Sequence, residues 1–414
     1  MSEKKTFWFI NQYSSTPETA MGGRHYYLAQ ELVKKGHQVY VVAGRYSHLL
    51  RNPKQFSEKY LIEEITPNFS FIWINLPEYA EAHSKQRVLN WFKFAWALRG
   101  LKNSSLQKPD MILYSSPSPI GSLAAQYLAK SFKVPFIFEV RDIWPLTLIE
   151  LGGHSANHPF IRLMQWIEDR SYQNAKFVFS NLFNAVEHMQ TRGLDKAKFH
   201  WIPNGVSFAE VSAKEALSVD VLKQLPQDKF IVGYTGTIGV ANAIDDLIEA
   251  AQLVSHHPDI HFVLVGSGKE KQEMQNKVQD LKLTNISFID PIPKKQIQSM
   301  LEHFDVCYIG WQKNPLYRFG IAPNKLPEYL YAGKPIIHAF SGKSDVVQQA
   351  NAGITIEAED PQAIADAVMQ LYKLPDFERS VLGNNGHQYV LQHLEYKMIA
   401  EKLEIIIFPE NADS

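Results

Sequence analysis

Short apolar runs recur along the chain, separated by longer stretches whose apolar positions fall three and four residues apart. Phe7–Ile10 and Val39–Ala43 read as buried strands, and Tyr26–Lys35 between them has the helical spacing Tyr27, Leu28, Leu32 before Gly36 closes it. Further strand-like runs stand at Phe71–Ile74, Met111–Tyr114, Phe136–Val140 and Phe177–Phe179. A second series runs through Phe230–Tyr234, Phe262–Val265, Ile286–Ile289, Val306–Ile309, Pro335–His338 and Ile354–Ile356. Its helical segments are Asp245–Val254, Lys269–Leu281, Lys294–His303, Lys325–Ala332 and Pro361–Tyr372. Strands alternating with helices predict parallel sheets, which bind ligands at the carboxyl ends of their strands. The turn signal Pro203-Asn204-Gly205 divides the two series. The expected fold class is α/β, with two Rossmann-like doubly wound domains facing across a cleft. They span residues 1–205 and 206–385, with a helix over 386–405 crossing back to the first.

Composition narrows the chemistry. Of 414 residues, 45% are hydrophobic and 21% charged, which argues against extended disorder. The single Cys307 rules out an intramolecular disulfide framework and a multi-thiolate zinc site. The fifteen histidines show no metal-ligand spacing, and no Asp-x-Asp pair calls for a divalent ion, so neither metal nor cofactor is expected. No apolar run reaches the roughly 18 residues of a spanning helix, and Phe7–Ile10 is too short for a signal-peptide core. A cytoplasmic protein is expected. The net charge of −1 conceals an asymmetry: residues 1–202 carry 24 Lys and Arg against 16 Asp and Glu, a net +8, while the remainder carries 18 against 27, a net −9. Arg87–Asn103 interleaves Trp91, Phe92, Phe94 and Trp96 with Arg87, Lys93, Arg99 and Lys102 at helical spacing. It reads either as a peripheral anionic-membrane helix or as a helix burying its aromatics under the first sheet. No nucleic-acid recognition motif accompanies it.

Three segments carry candidate chemistry. In Phe319-Gly-Ile-Ala-Pro-Asn-Lys-Leu-Pro-Glu328, the Gly320 loop precedes a helix start at Asn324 and Lys325. A cation in the first turn opposes the helix dipole and makes most sense beside an anion such as a diphosphate, with Arg318 adding charge. Glu328, one turn on, could accept two ribose hydroxyls, although a solvated Lys and Glu at a plain helix start give the same spacing. Gly22 and Gly23 open a helix where backbone N–H groups could approach an oxyanion, with Arg24 as a phosphate clamp. Glu139-Val-Arg-Asp142 ends a strand. Arg141 and Asp142 are candidates for acceptor handling, and Glu139 competes with Asp142 as base; an ion pair bracing the loop is the alternative.

The 319–337 block resembles the nucleotide-sugar loop of glycosyltransferase family 4, which has the two-domain GT-B fold. Met21-Gly22-Gly23, Ile202-Pro203-Asn204-Gly205-Val206 and Val265-Gly266-Ser267-Gly268 resemble that family in the same order. Glu139-Val-Arg-Asp-Ile-Trp-Pro145 is similar to the branch that transfers amino-deoxy sugars such as N-acetylfucosamine in bacterial surface polysaccharides (capsule or O-antigen). The resemblance implies a retaining transferase with a nucleotide-sugar donor, UDP-linked by family inference. It further implies a saccharide or polyprenyl-diphosphate-linked acceptor. Gly266 and Gly268 would then border the nucleotide, and Ile289 its base. Three positions depart from the family: Gly320 stands where a Glu is usual, and Thr237 and Asn242 stand where the donor-phosphate loop has Arg and Lys. Gly236 and Gly239 could offer backbone N–H groups instead. A non-catalytic sugar-nucleotide-binding subunit is therefore a rival reading. A nicotinamide oxidoreductase ranks behind both, because the first strand lacks Gly-x-Gly-x-x-Gly.

Overall fold

The computed structural model describes residues 3–20, 22–79 and 84–411, which leaves Met21 of the glycine motif outside the described residues. Two compact units emerge. One comprises the chain up to Pro203 together with everything from Tyr396 onward, and the other comprises Asn204–Glu395.

The first unit is an eight-stranded sheet. Its strands are β1 (Thr6–Ile10), β2 (Gln38–Gly44), β3 (Tyr60–Thr66), β4 (Phe69–Ile74), β5 (Met111–Ser115), β6 (Phe136–Val140), β7 (Phe177–Ser180) and β8 (Phe199–Trp201). The order β3-β4-β2-β1-β5-β6-β7-β8 is parallel throughout except for the antiparallel edge pair β3–β4. Phe7, Phe9, Val39, Val41 and Phe71 are fully buried, as expected of strands covered on both faces. Helices α1 (Arg24–Lys34), α2 (Lys85–Gly100), α3 (Ser122–Phe132) and α4 (Pro159–Asn174) flank this sheet.

The second unit is a wholly parallel six-stranded sheet. Its strands are β9 (Phe230–Thr235), β10 (Ile260–Val265), β11 (Ile286–Ile289), β12 (Val306–Gly310), β13 (Ile336–Ala339) and β14 (Gly353–Ile356), in the order β11-β10-β9-β12-β13-β14. Its helices include α5 (Ile244–Leu253), α6 (Lys325–Tyr331), α7 (Pro361–Lys373) and α8 (Asp376–His393).

The run expected as one helix over 386–405 is two. Helix α8 ends at His393, and α9 (Tyr396–Ile407) begins after the Leu394-Glu395 break. Only α9 belongs to the first unit. Tyr396, Ile399, Leu403 and Ile407 enter the core beneath β1 and β2, and Tyr396 stacks on Tyr27 at 5.3 Å. Glu404 is buried there between His37 (3.1 Å) and Lys35. Both sheets have a switch point, β1/β5 in one and β9/β12 in the other, where the winding reverses and the loops leave a crevice.

Candidate functional site

In the second unit the switch point gathers most of the expected donor residues. The loop after β9 carries Gly236, Thr237, Gly239 and Asn242; the chain after β12 returns through Gly320 to α6 and Lys325. The Lys325 ammonium reaches across to the β9 loop. It donates to the Tyr234 hydroxyl at 2.9 Å and to Asn242 Oδ1 at 3.2 Å, and lies 4.1 Å from the centre of the Tyr234 ring. A Cβ built on Gly236 would stand 2.8 Å from its Nζ. Among the described residues no carboxylate pairs with it. Burial of an uncompensated ammonium disfavours the charged form, and its pKa falls to about 7.

The glycines act differently from expectation. Gly236 N–H donates to Val265 O (2.9 Å), Ile238 N–H to Ser267 O (2.9 Å) and Gly266 N–H to Ile289 O (3.0 Å), so the Gly236 and Gly266 amides are spent joining neighbouring loops. A Cβ would lie 1.9 Å from Gly236 O if built on Gly266, and 1.7 Å from Ile238 O if built on Gly268. These positions need glycine because backbone meets backbone there. That reading replaces the phosphate nest expected at Gly236. The Ile289 side chain is buried in the core with Val263 and Val265, and its carbonyl borders the loop.

Thr237 is exposed, with its carbonyl held by Tyr234 (2.6 Å) and Asn242 (3.0 Å). The Arg318 guanidinium folds back on its own turn, donating to Pro315 O and stacking 4.3 Å from the Phe319 ring centre. Gly320 has φ 97°, a left-handed conformation that suits glycine and disfavours the family's Glu. Asn324 makes no side-chain cap; its Oδ1 accepts from Asn204 Nδ2 at 3.2 Å, which also donates to Ala322 O at 2.8 Å. Helix α6 has seven residues, too short for a large dipole, so the charge at its start is Lys325 itself. One oxygen of Glu328 is taken by Lys294, and burial raises its pKa against that pairing.

In the first unit, α1 starts at the end of β1 behind Gly22 (φ 67°) and Gly23. A Cβ on Gly23 would meet nothing within 4 Å, so this helix start is open. Arg24 and Glu139 both depart from expectation. Arg24 is buried, its Nε 2.8 Å from Glu139 Oε1, with its other nitrogens on the Pro203 and Ile202 carbonyls (3.0 Å to Ile202). The second Glu139 oxygen meets His25 Nε2 at 2.8 Å. Arg24 and His25 hold Glu139 ionised well below the carboxylate range although burial opposes this, which makes its carboxylate a weak proton acceptor. Burial outweighs Glu139 on His25 and lowers its pKa. His25 is then neutral with the proton on Nε2, and Nδ1 accepts from the Ser14 hydroxyl at 3.1 Å.

Arg141 and Asp142 sit just past β6. Their amides donate to Ser116 Oγ, at the end of β5, at 2.8 and 3.3 Å. The buried Nε of Arg141 has no partner among the described residues. Asp142 is exposed, yet the protein around it raises its pKa, with Arg141 opposing. The pairing partners of Arg24 and Lys325 were missed in the sequence because they lie roughly a hundred positions away and no local spacing encodes them. No group of three His, Cys, Asp or Glu is placed to hold a metal ion among the described residues, nor is any helix there long and apolar enough to cross a membrane.

Comparison with known proteins bears on the family and the fold. The family described as Glycosyltransferase Family 4 matches residues 24–210, and Glycosyl transferases group 1 matches residues 221–389. WcaI of Escherichia coli, named for a role as a colanic acid biosynthesis glycosyl transferase, is 23% identical over 277 residues, 65% of this chain and 67% of that protein. Sucrose-phosphate synthase from Thermosynechococcus elongatus superposes with a TM-score of 0.76 at 16% identity, covering 99% of this chain and 100% of that one. Anabaena HepE, solved with UDP and glucose, gives 0.64 at 14% identity over 97% and 99%. Two Rossmann-like parallel sheets of the GT-B kind, matched along nearly their whole length by these two descriptions, place the chain in the group 1, family 4 glycosyltransferases.

Proposed function

We propose that this protein transfers a sugar from a nucleoside-diphosphate donor, UDP-linked, to a lipid-linked saccharide during synthesis of a surface polysaccharide. The observation that carries the reading is Lys325: a half-buried ammonium with no carboxylate partner among the described residues, held at the switch point of the second sheet. A buried cation without a counter-ion is costly, and a diphosphate would supply one. In this reading Lys325 neutralises the leaving diphosphate, stabilising the charge that develops as the glycosidic bond breaks. Asn324, the Gly320 backbone, Thr237 and the amide of Gly239 flank the phosphates, and Glu328 receives the ribose hydroxyls. Arg141, whose buried Nε lacks a partner, takes the anionic part of the acceptor, and Asp142 orients its hydroxyl. Retention at the anomeric carbon follows from the family. The polysaccharide role is supported by the likeness to WcaI, and the UDP donor by the fold shared with HepE. An N-acetylated amino-deoxy sugar is the first donor to try, because of the Glu139–Pro145 segment.

Calorimetric titration with UDP, GDP and dTDP and their sugars tests the donor half of the proposal. Saturable binding of UDP that is lost in Glu328→Ala is expected. A protein that binds none of them, or a variant that binds as the parent does, sinks the assignment. Donor binding without turnover on any lipid-linked acceptor would favour the non-catalytic reading.

A further inference from the structure

We infer that the outer face of α2, α3 and α4 is a docking surface for an anionic lipid bilayer. The inference concerns the first unit alone and stands independently of the transfer reaction. Helix α2 buries Trp91, Phe94 and Leu98 but turns Leu89, Phe92 and Trp96 outward, so the aromatic run expected to be either core or surface is both. Trp96 is 74% exposed. On α4, Leu163 and Trp166 point outward in the same way, Trp166 being 53% exposed, while Ile161, Met164 and Ile167 pack inward. Isolated exposed apolar side chains are ordinary; two tryptophans on adjoining helices, each at the crest of an apolar stripe, are not.

Each tryptophan carries its own cation. The Arg99 guanidinium lies 5.2 Å from the Trp96 ring and 5.0 Å from Tyr127 of α3, and Arg170 lies 5.7 Å from Trp166. Tyr127, Lys130, Arg170, Lys176 and Lys198 line one open groove of about 720 Å³, which Arg99 ties to Trp96 through Tyr127 and Arg170 ties to Trp166. Residues 84–138 hold eight Lys and Arg but a single acid, Asp110, whose carboxylate is occupied by the Thr6 amide at 2.7 Å. The acids on α4 add little negative charge: Asp169 pairs with Arg192, and Glu168 is buried with its pKa raised to about 8. Protruding indoles flanked by arginines match the headgroup layer, where an apolar body meets a wet, anionic rim.

The test is flotation of the full chain with vesicles of phosphatidylcholine alone and with phosphatidylglycerol added. Binding to the anionic vesicles that weakens with salt is expected, and it should fall at least about tenfold in Trp96→Ala/Trp166→Ala. Brominated lipid should quench part of the tryptophan emission, and that part should vanish in Trp96→Phe/Trp166→Phe, which keeps the aromatic bulk. Both pairs are exposed, so unchanged melting curves serve as the folding control. The inference is overturned by a parent protein that floats with neither vesicle, by a double alanine variant that binds as tightly as the parent, or by binding to a single-stranded oligonucleotide tighter than to vesicles.

Discussion

Lys325 offers a prediction with two opposed signs. Its ordinary pKa of 10.5 falls to about 7 in the folded chain. At about 1.4 kcal/mol per pH unit, the gap corresponds to roughly 5 kcal/mol. That figure is an upper bound, because the side chain is only partly buried and water screens it. The direction follows from proton counting. Between pH 7 and 10.5 the unfolded chain holds the proton and the folded chain does not, so stability rises with pH across that window; below pH 7 the full burial cost is present. Lys325→Met removes the charge and keeps the apolar stem. The ligand-free variant should therefore gain on the order of 2 kcal/mol at pH 6, or roughly 4–8 °C in Tm, and almost nothing at pH 10. UDP affinity should move the opposite way, falling about 10- to 150-fold with the loss of a charge-assisted contact worth roughly 1.5–3 kcal/mol. Because binding must recharge the amine, affinity of the parent should decline above pH 7. Calorimetry at pH 8 in two buffers of different ionisation enthalpy should show proton uptake, absent in the variant. Scanning calorimetry with and without UDP reads the remaining quantities. A variant that melts lower at pH 6 and binds UDP as the parent does would refute the reasoning, making Lys325 a strut for the β9 loop.

Two more changes probe the scaffold. Glu139→Gln leaves the Arg24 guanidinium buried without its counter-charge and should cost about 3–5 kcal/mol in urea unfolding at pH 7. Since the folded carboxyl is held below 4.5, the parent keeps this advantage above that value and loses it as the pH falls further, so the two curves should converge in acid; a cost under about 0.5 kcal/mol at pH 7 contradicts the ion-pair account. Gly266→Ala places a Cβ 1.9 Å from a neighbouring carbonyl at φ 150° and should destabilise the second unit by about 3 kcal/mol or more, whereas Gly23→Ala meets open space and should leave the melting curve in place. Equal melting of the two variants would contradict the close-packed loops.

Much of the fold was legible because buried parallel strands are written as uninterrupted apolar runs. Both edge strands of the first sheet escaped: β8 has only three residues, and in β3 Glu63 and Glu64 interrupt the run, as an edge strand with one wet face allows. The antiparallel turn of β3 onto β4 rests on Asn68 at φ 67°, a local signal without a hydrophobic one. At the site, the oddity of Lys325 was legible, since a cation in a first helical turn asks for an explanation. Its destination was not, because Tyr234 and Asn242 lie 91 and 83 positions earlier. Arg24 misled for the same reason: its partner, 115 residues on, turned an apparent phosphate clamp into a buried brace. The glycines marked where backbone crowds, but spacing could not tell whether a ligand or another loop did the crowding.

Helix α9 has a consequence for how the protein is made. The first unit borrows its last wall from Tyr396–Ile407, whereas residues 204–395 form a continuous segment. During synthesis at about 10 residues per second, the first sheet would emerge and wait roughly 20 s for the piece that covers Phe7, Val39 and His37. The segment made second is thus free to finish first, and the unit begun before it is sealed only once Tyr396–Ile407 has been made. A stop codon just before Tyr396 would spare every strand and still leave the amino-terminal half open, a lesion felt nearly four hundred residues upstream of its cause.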